Sequence, residues 1–399
     1  MKTHTECRVC NGPLAEVMNF GDMPLSNGLA ATQEDAINAP RFEQKLMICD
    51  SCKLGQLSLV VDPEILYKDY VYKSSVSGVF REHCAGLAES LGLCSYPERV
   101  AVVDIAGNDG ACMREVLEVM PDIRGYVVDI AQDDEPAGYS KLKEFWNQAT
   151  ADRFRETHGK ASAFIAQNVV GHVDDVQEFF RAVRSAITVD GVFVVEVPSF
   201  KAMIENRAFD TVYHEHVSYW SVTAMTALAG RCGFDVANVV YFPAIHCGTL
   251  RFWLRPGTGF NHAPVCVDMI EQEKAFFTPG WVGEFTEGSE LDAVRLGFML
   301  RAIADFSTVI GVSASAKSNV FLNFTETESF RCGTRIEYLV DDTPEKQGKF
   351  SPGVGIEIKP FTTETVSGAD VALILSRNLT GALTARLRAL GFKGLVISL

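Results

Sequence analysis

The stretch that decides the fold is RVAVVDIAGNDG, residues 99–110. A β-branched apolar run ends in a glycine-bearing turn. CMREVLEVM (112–120) follows at once, with apolar residues at helical spacing. A strand that turns through glycines into a helix lets a ligand approach the backbone and offers it free N–H groups. Downstream, GYVVDIA (125–131), ASAFIAQNVV (161–170) and GVFVVEVP (191–198) read as strands, and VQEFFRAVRSAI (176–187) as an amphipathic helix. Such alternation predicts a parallel, doubly wound sheet. The helix VTAMTALAGRCGF (222–234) then leads into VANVVYFP (236–243) and TLRFWLRP (249–256), two strands with no helix between them, hence a terminal hairpin.

The theme recurs after residue 260. A helical stretch near 291–306 precedes the strands TVIGVSAS, RIEYLVDD, VALILS and GLVISL, with the helix LTGALTARLRALGF among them. This predicts a second α/β unit. Residues 1–66 read as a Cys-paired, loop-rich module, and 67–98 as a connecting segment that turns helical. The central unit then spans 99–260 and the C-terminal unit 261–399.

The chain has 399 residues, 47% of them hydrophobic, and a formal net charge of −15. That length fits two or three domains. The acidity repels phosphate backbones, so nucleic acid is not expected as a partner. Apolar runs fall short of the ~18 residues a membrane span needs. The start, MKTHTECRVC, has no apolar segment of a secretory signal. A cytoplasmic protein with reduced thiols is expected.

Four of the eleven cysteines form two C-x-x-C turns, Cys7/Cys10 and Cys49/Cys52. Each turn sets two thiolates side by side, and two turns supply the four sulfurs of a closed, structural zinc site. A redox dithiol is the competing reading. The other seven read as small core residues. Gly107 and the flanking Asp104 and Asp109 mark the ligand-binding turn. Asp129, at the end of the next strand, could hold both ribose hydroxyls of a nucleoside, or be a solvated loop acid. The full G-x-G-x-x-G spacing is absent, which favours a nucleoside without phosphates, such as S-adenosylmethionine (SAM), over a dinucleotide. The densest chemical cluster is TVYHEHVSY (211–219), in the loop after GVFVVEVP, at the carboxyl edge where open α/β sheets bind ligands.

Together these stretches resemble the sugar C-methyltransferase family, SAM-dependent enzymes that methylate the carbon beside the ketone of a nucleotide-linked deoxysugar. The matching motifs run in order: the paired C-x-x-C turns, YKDYVYKSS (67–75), DIAGNDG (104–110), NVVGH (168–172), FDTVYHEHVSY (209–219), HCGTLR (246–251), SASAK (313–317) and VDDTPEKQG (340–348). The resemblance implies an N-terminal zinc module, a central class I methyltransferase domain of Rossmann-like type and a C-terminal α/β domain. It implies that His216 is the base, with Glu215 orienting it, that Tyr213 and Tyr72 are catalytic residues, and that Tyr72 or Tyr213 donates a hydrogen bond to the developing enolate. Asp104, Gly107, Asp109, Asp129 and Asn168 would hold SAM. His246, Arg251 and Lys317 would contact the nucleotide sugar, and the chain would be a monomer or homodimer. Ala106, Cys247 and Arg377 depart from the family's usual Gly, Gly and Trp. Competing functions are a methyltransferase on a non-sugar acceptor and a non-catalytic binding protein; a zinc-ribbon enzyme of nucleic acid is disfavoured by the charge.

Overall fold

The run that opens the sequence argument becomes the strand Ala101–Ile105, and all five of its residues are buried. Parallel neighbours flank it on both sides, Ala161–Gln167 and Arg124–Val128. A strand covered on both faces favours apolar side chains throughout, which is why the run does not alternate; Asp104, at its carboxyl end, is the one exception. The computed structural model describes residues 1–66, 78–92, 100–130, 138–245 and 248–399. Seven strands form the central sheet, in the order Phe234–Phe242, Thr249–Pro256, Ile187–Pro198, Ala161–Gln167, Ala101–Ile105, Arg124–Val128, Tyr139–Leu142. Thr249–Pro256 runs antiparallel between its two neighbours, so the terminal hairpin is inserted into the sheet edge. This is the class I methyltransferase arrangement.

The sequence reading passes over the edge strand Tyr139–Leu142, whose four residues are exposed or half-buried and carry no apolar signature. Helix Pro264–Phe276, assigned to the C-terminal unit above, packs instead on helix Val222–Arg231 and strand Phe234–Phe242 of the central one. The C-terminal sheet has five parallel strands, ordered Ile358–Pro360, Leu339–Asp341, Val309–Val312, Val371–Ile374, Leu395–Ser398. Its order reverses between Val309–Val312 and Val371–Ile374, which opens a crevice at their carboxyl ends.

The N-terminal module is not loop-rich. Leu14–Pro24 and Arg41–Cys49 form a long antiparallel pair, and Gly55–Leu57 adds a third strand. The fourth strand comes from far downstream in the chain: Ser218–Tyr219, just after the Tyr-His-Glu-His stretch, pairs with Gln56 and Gly55. The module's inner side chains, among them Phe20, Leu46 and Leu57, share one hydrophobic cluster with Phe200, Phe209 and Tyr213 of the central domain and Phe321 and Phe324 of the C-terminal one. The three units are therefore joined by a common core.

Candidate active site and metal centre

The metal site is built from two similar turns. The N–H of Asn11 bonds the carbonyl of Cys7, and that of Lys53 bonds the carbonyl of Cys49. Each turn closes on a residue in the left-handed region, Asn11 at φ 56° and Lys53 at φ 61°. The four sulfurs all lie within 4.8 Å of one another, with Cys7 and Cys52 at 3.5 Å and Cys10 and Cys49 at 3.4 Å. A tetrahedral zinc with Zn–S of about 2.3 Å requires sulfurs about 3.8 Å apart. The donors fit zinc and are too far apart for disulfides. The Cys52 thiol beside it holds the Cys7 thiol down to about 5, which favours the thiolate a metal needs.

The glycine turn is tight for stated reasons. A Cβ on Gly107 would stand 2.5 Å from Asp104 Oδ2, and one on Gly110, at φ 76°, would stand 1.9 Å from the Tyr139 hydroxyl oxygen. Ala106 and Asn108 are left-handed as well, at φ 55° and 53°. Asp129 Oδ2 accepts the Asn108 N–H at 2.8 Å and so ties the turn to the next strand. Asp104 is buried, and burial, with Asp129 nearby, pushes its carboxyl up to about 8. Near this turn, the buried acceptors Asp104 Oδ2 and the side-chain oxygen of Asn168 have no partner among the described residues. Asn168 is itself left-handed, at φ 54°. SAM offers an ammonium and an adenine amino group, so these residues fit it.

The Tyr-His-Glu-His loop is held as a unit. His216 Nδ1 lies 3.0 Å from the Thr211 carbonyl, which can only accept, so Nδ1 carries the proton. Nε2 then accepts from the Tyr213 hydroxyl at 2.6 Å. Glu215 does not orient His216, contrary to expectation. Its carboxylate takes a 2.7 Å hydrogen bond from Asn27 Nδ2, and burial pushes it up to about 7. Nearly every other anchor of the loop also belongs to the zinc module. Gln44 Nε2 donates to the Val212 carbonyl, and the His214 ring meets the carbonyls of Phe42 and Glu43. Arg8, buried between Cys7 and Cys10, donates to the Val217 carbonyl and the Ser218 hydroxyl. Neither Asn27 nor Arg8 carries a sequence signal that singles it out.

The remaining candidates divide. Arg251 is not presented to a ligand: it is buried on Glu196, with its guanidinium 4.7 Å over the Phe242 ring. Glu196 also takes His83 at 2.9 Å and Gln167 at 2.8 Å. This network pins helix Gly78–Gly92 to the sheet, so Arg251 serves as a strut. Lys317 opens helix Ala316–Thr325 at the crevice of the C-terminal sheet, 3.5 Å from Asn378. The buried Asp210 lies within the electrostatic reach of Lys317 and Arg377, and neither of its carboxylate oxygens has a partner among the described residues. Tyr72 and His246, with Cys247, lie outside the described residues. A cleft of about 1050 Å³ sits at the amino ends of the C-terminal strands, lined by Phe306, Arg335, Glu337 and Asp370, and holds none of the candidates.

Three family models match the chain, in the order of its structural units. They are "Putative zinc binding domain" over residues 7–67, "Methyltransferase domain" over 78–239 and "C-methyltransferase C-terminal domain" over 244–397. Together the three matches make the chain a methyltransferase with a zinc-binding module and the C-terminal domain of C-methyltransferases. The chain is 27% identical over 394 residues to C-methyltransferase NovU of Streptomyces niveus, covering 94% of the chain and 90% of NovU. Among solved structures it is similar to CalO1, a methyltransferase in calicheamicin biosynthesis in its SAH-bound form. There the identity is 14% and the TM-score 0.36, over 49% of this chain and 57% of CalO1. It is also similar to a Burkholderia thailandensis 1,6-didemethyltoxoflavin-N1-methyltransferase, at 13% identity and a TM-score of 0.38, over 54% of this chain and 96% of that one. The four cysteines lie in the stretch matched by the zinc-binding model, and zinc is the metal their sulfurs fit.

Proposed function

We propose that the enzyme methylates the carbon next to the ketone of a nucleotide-linked deoxysugar, with the Tyr213–His216 pair as proton acceptor. The observation that carries the reading is the tautomer of His216. With Nδ1–H committed to Thr211, Nε2 is left basic and is directed at the Tyr213 hydroxyl. A ketone acidifies the adjacent C–H, and His216 Nε2 is the nitrogen on which that proton ends. Glu215, pushed up to about 7, exchanges protons near neutral pH and serves as the neighbouring acid–base group. Tyr72 donates a hydrogen bond to the enolate oxygen as charge develops. Bound SAM supplies the electrophilic methyl group that the carbanion takes.

Gly107, Asp104, Asp109, Asp129 and Asn168 hold SAM at the carboxyl edge of the central sheet, where the buried acceptors of Asp104 and Asn168, unpartnered among the described residues, support the role. The nucleotide diphosphate lies toward the crevice of the C-terminal sheet, where Lys317 stands at a helix N-terminus. Incubating the protein with SAM and a panel of dTDP-, UDP- and GDP-linked keto sugars tests the reading by mass spectrometry. Gain of a methyl group by one keto sugar, and none by the matching alcohols, is expected. Methylation of the alcohols alone contradicts it.

A further inference from the structure

Glu215 is 4% exposed, and the one hydrogen bond its carboxylate makes among the described residues comes from another unit of the molecule. The Asn27 side chain belongs to the zinc module, 188 positions away, and its Nδ2 donates to Glu215 Oε1 at 2.7 Å. Asn27 is itself held from a third side. The buried Asn319, on helix Ala316–Thr325 of the C-terminal domain, donates to the carbonyl of Ser26, the residue before it. Ser26 is buried too, so the donor is fixed between two domains before it meets the third.

We infer that Asn27 is a positioning residue of the methyl-transfer reaction: its carboxamide fixes the orientation of the Glu215 carboxylate beside the Tyr213–His216 pair. The inference rests on the reading of Glu215 as an acid–base group. A carboxamide suits this place because its NH₂ favours the ionised carboxylate and fixes one of its two oxygens. The bond also makes the zinc module part of the reaction centre through a side chain, beyond its share of the backbone support.

A four-way cycle tests this, using wild type, Asn27→Ala, Glu215→Gln and the double variant. Single-turnover methyl transfer is read on the keto sugar of the panel that reacts fastest, with zinc content and SAM affinity as controls. Asn27→Ala is expected to slow transfer about 10- to 100-fold in wild type and less than about threefold in the Glu215→Gln background. The near-isosteric Asn27→Leu, which has no donor in any protonation state, should behave like Asn27→Ala. Equal slowing in both backgrounds, or wild-type rate in Asn27→Leu with zinc retained, overturns the inference. Full activity of Glu215→Gln overturns instead the role given to Glu215.

Discussion

His216 suits a base because each ring nitrogen already has a partner of the right kind: an acceptor at Nδ1 and a hydroxyl at Nε2. His216→Ala should therefore lower turnover at least about 10³-fold while SAM affinity stays within a few-fold, measured by calorimetry. Normal turnover in that variant sinks the assignment. Glu215 gives a pH prediction with a definite sign. Its carboxyl is held near 7 when folded, against an ordinary 4.5, so the folded chain binds that proton more tightly. The stability it contributes is present below pH 4.5 and is lost as pH rises through about 7. Glu215→Gln should then gain on wild type, by on the order of 1–3 kcal/mol, between pH 5 and pH 8 in denaturant titrations. A flat difference across that range contradicts it. At the glycine turn, Ala106 stands at φ 55°, where a non-glycine residue costs about 1 kcal/mol. Ala106→Gly should recover up to about 1 kcal/mol of stability, whereas Gly107→Ala, driven against Asp104, should weaken SAM binding more than about tenfold. Tyr213 and His216 were legible in the sequence because they lie three residues apart in one loop. The partner of Glu215 was not, since no local pattern joins it to Asn27.

At the scale of elements, the catalytic loop is a graft between two units. Its Ser218–Tyr219 end is the outer strand of the zinc module's sheet, and its other end follows the central strand Ile187–Pro198. The sequence placed the loop correctly at the carboxyl edge but hid the strands that hold it. Leu14–Pro24 carries two bulges, between Glu16 and Met18 and between Asn19 and Asp22, and Gly21 turns it at φ 73°. Each bulge shifts the alternation of buried and exposed residues, so a period of two is lost to the eye. Two-residue Ser218–Tyr219 is too short to show any period. Removing zinc, or Cys49→Ser, should free Arg8, Gln44 and Asn27 from the loop together. Hydrogen exchange across residues 212–219 should then speed up with loss of activity, while the strands 101–105 and 161–167 stay protected. Unchanged exchange in the loop after zinc loss contradicts the graft.

Across the whole molecule, a single hydrophobic cluster runs from the zinc module through Phe200 and Phe209 to helix Ala316–Thr325, so no unit stands apart from the reaction centre. The two α/β sheets were readable because their buried parallel strands are continuous apolar runs. The docking between units was not, because it depends on contacts such as Arg377 to the Asn206 carbonyl at 2.7 Å, 171 positions apart. Among the described residues no helix is long and apolar enough to cross a membrane. The account's central claim is transfer of a methyl group to carbon by the Tyr213–His216 pair. It is tested most directly by supplying SAM with a ¹³C-labelled methyl and a nucleotide-linked keto sugar, and reading the product by NMR. The account predicts the labelled methyl bonded to the carbon beside the ketone, and no labelled product from His216→Ala. Label on oxygen or nitrogen, or undiminished labelling by His216→Ala, would contradict it.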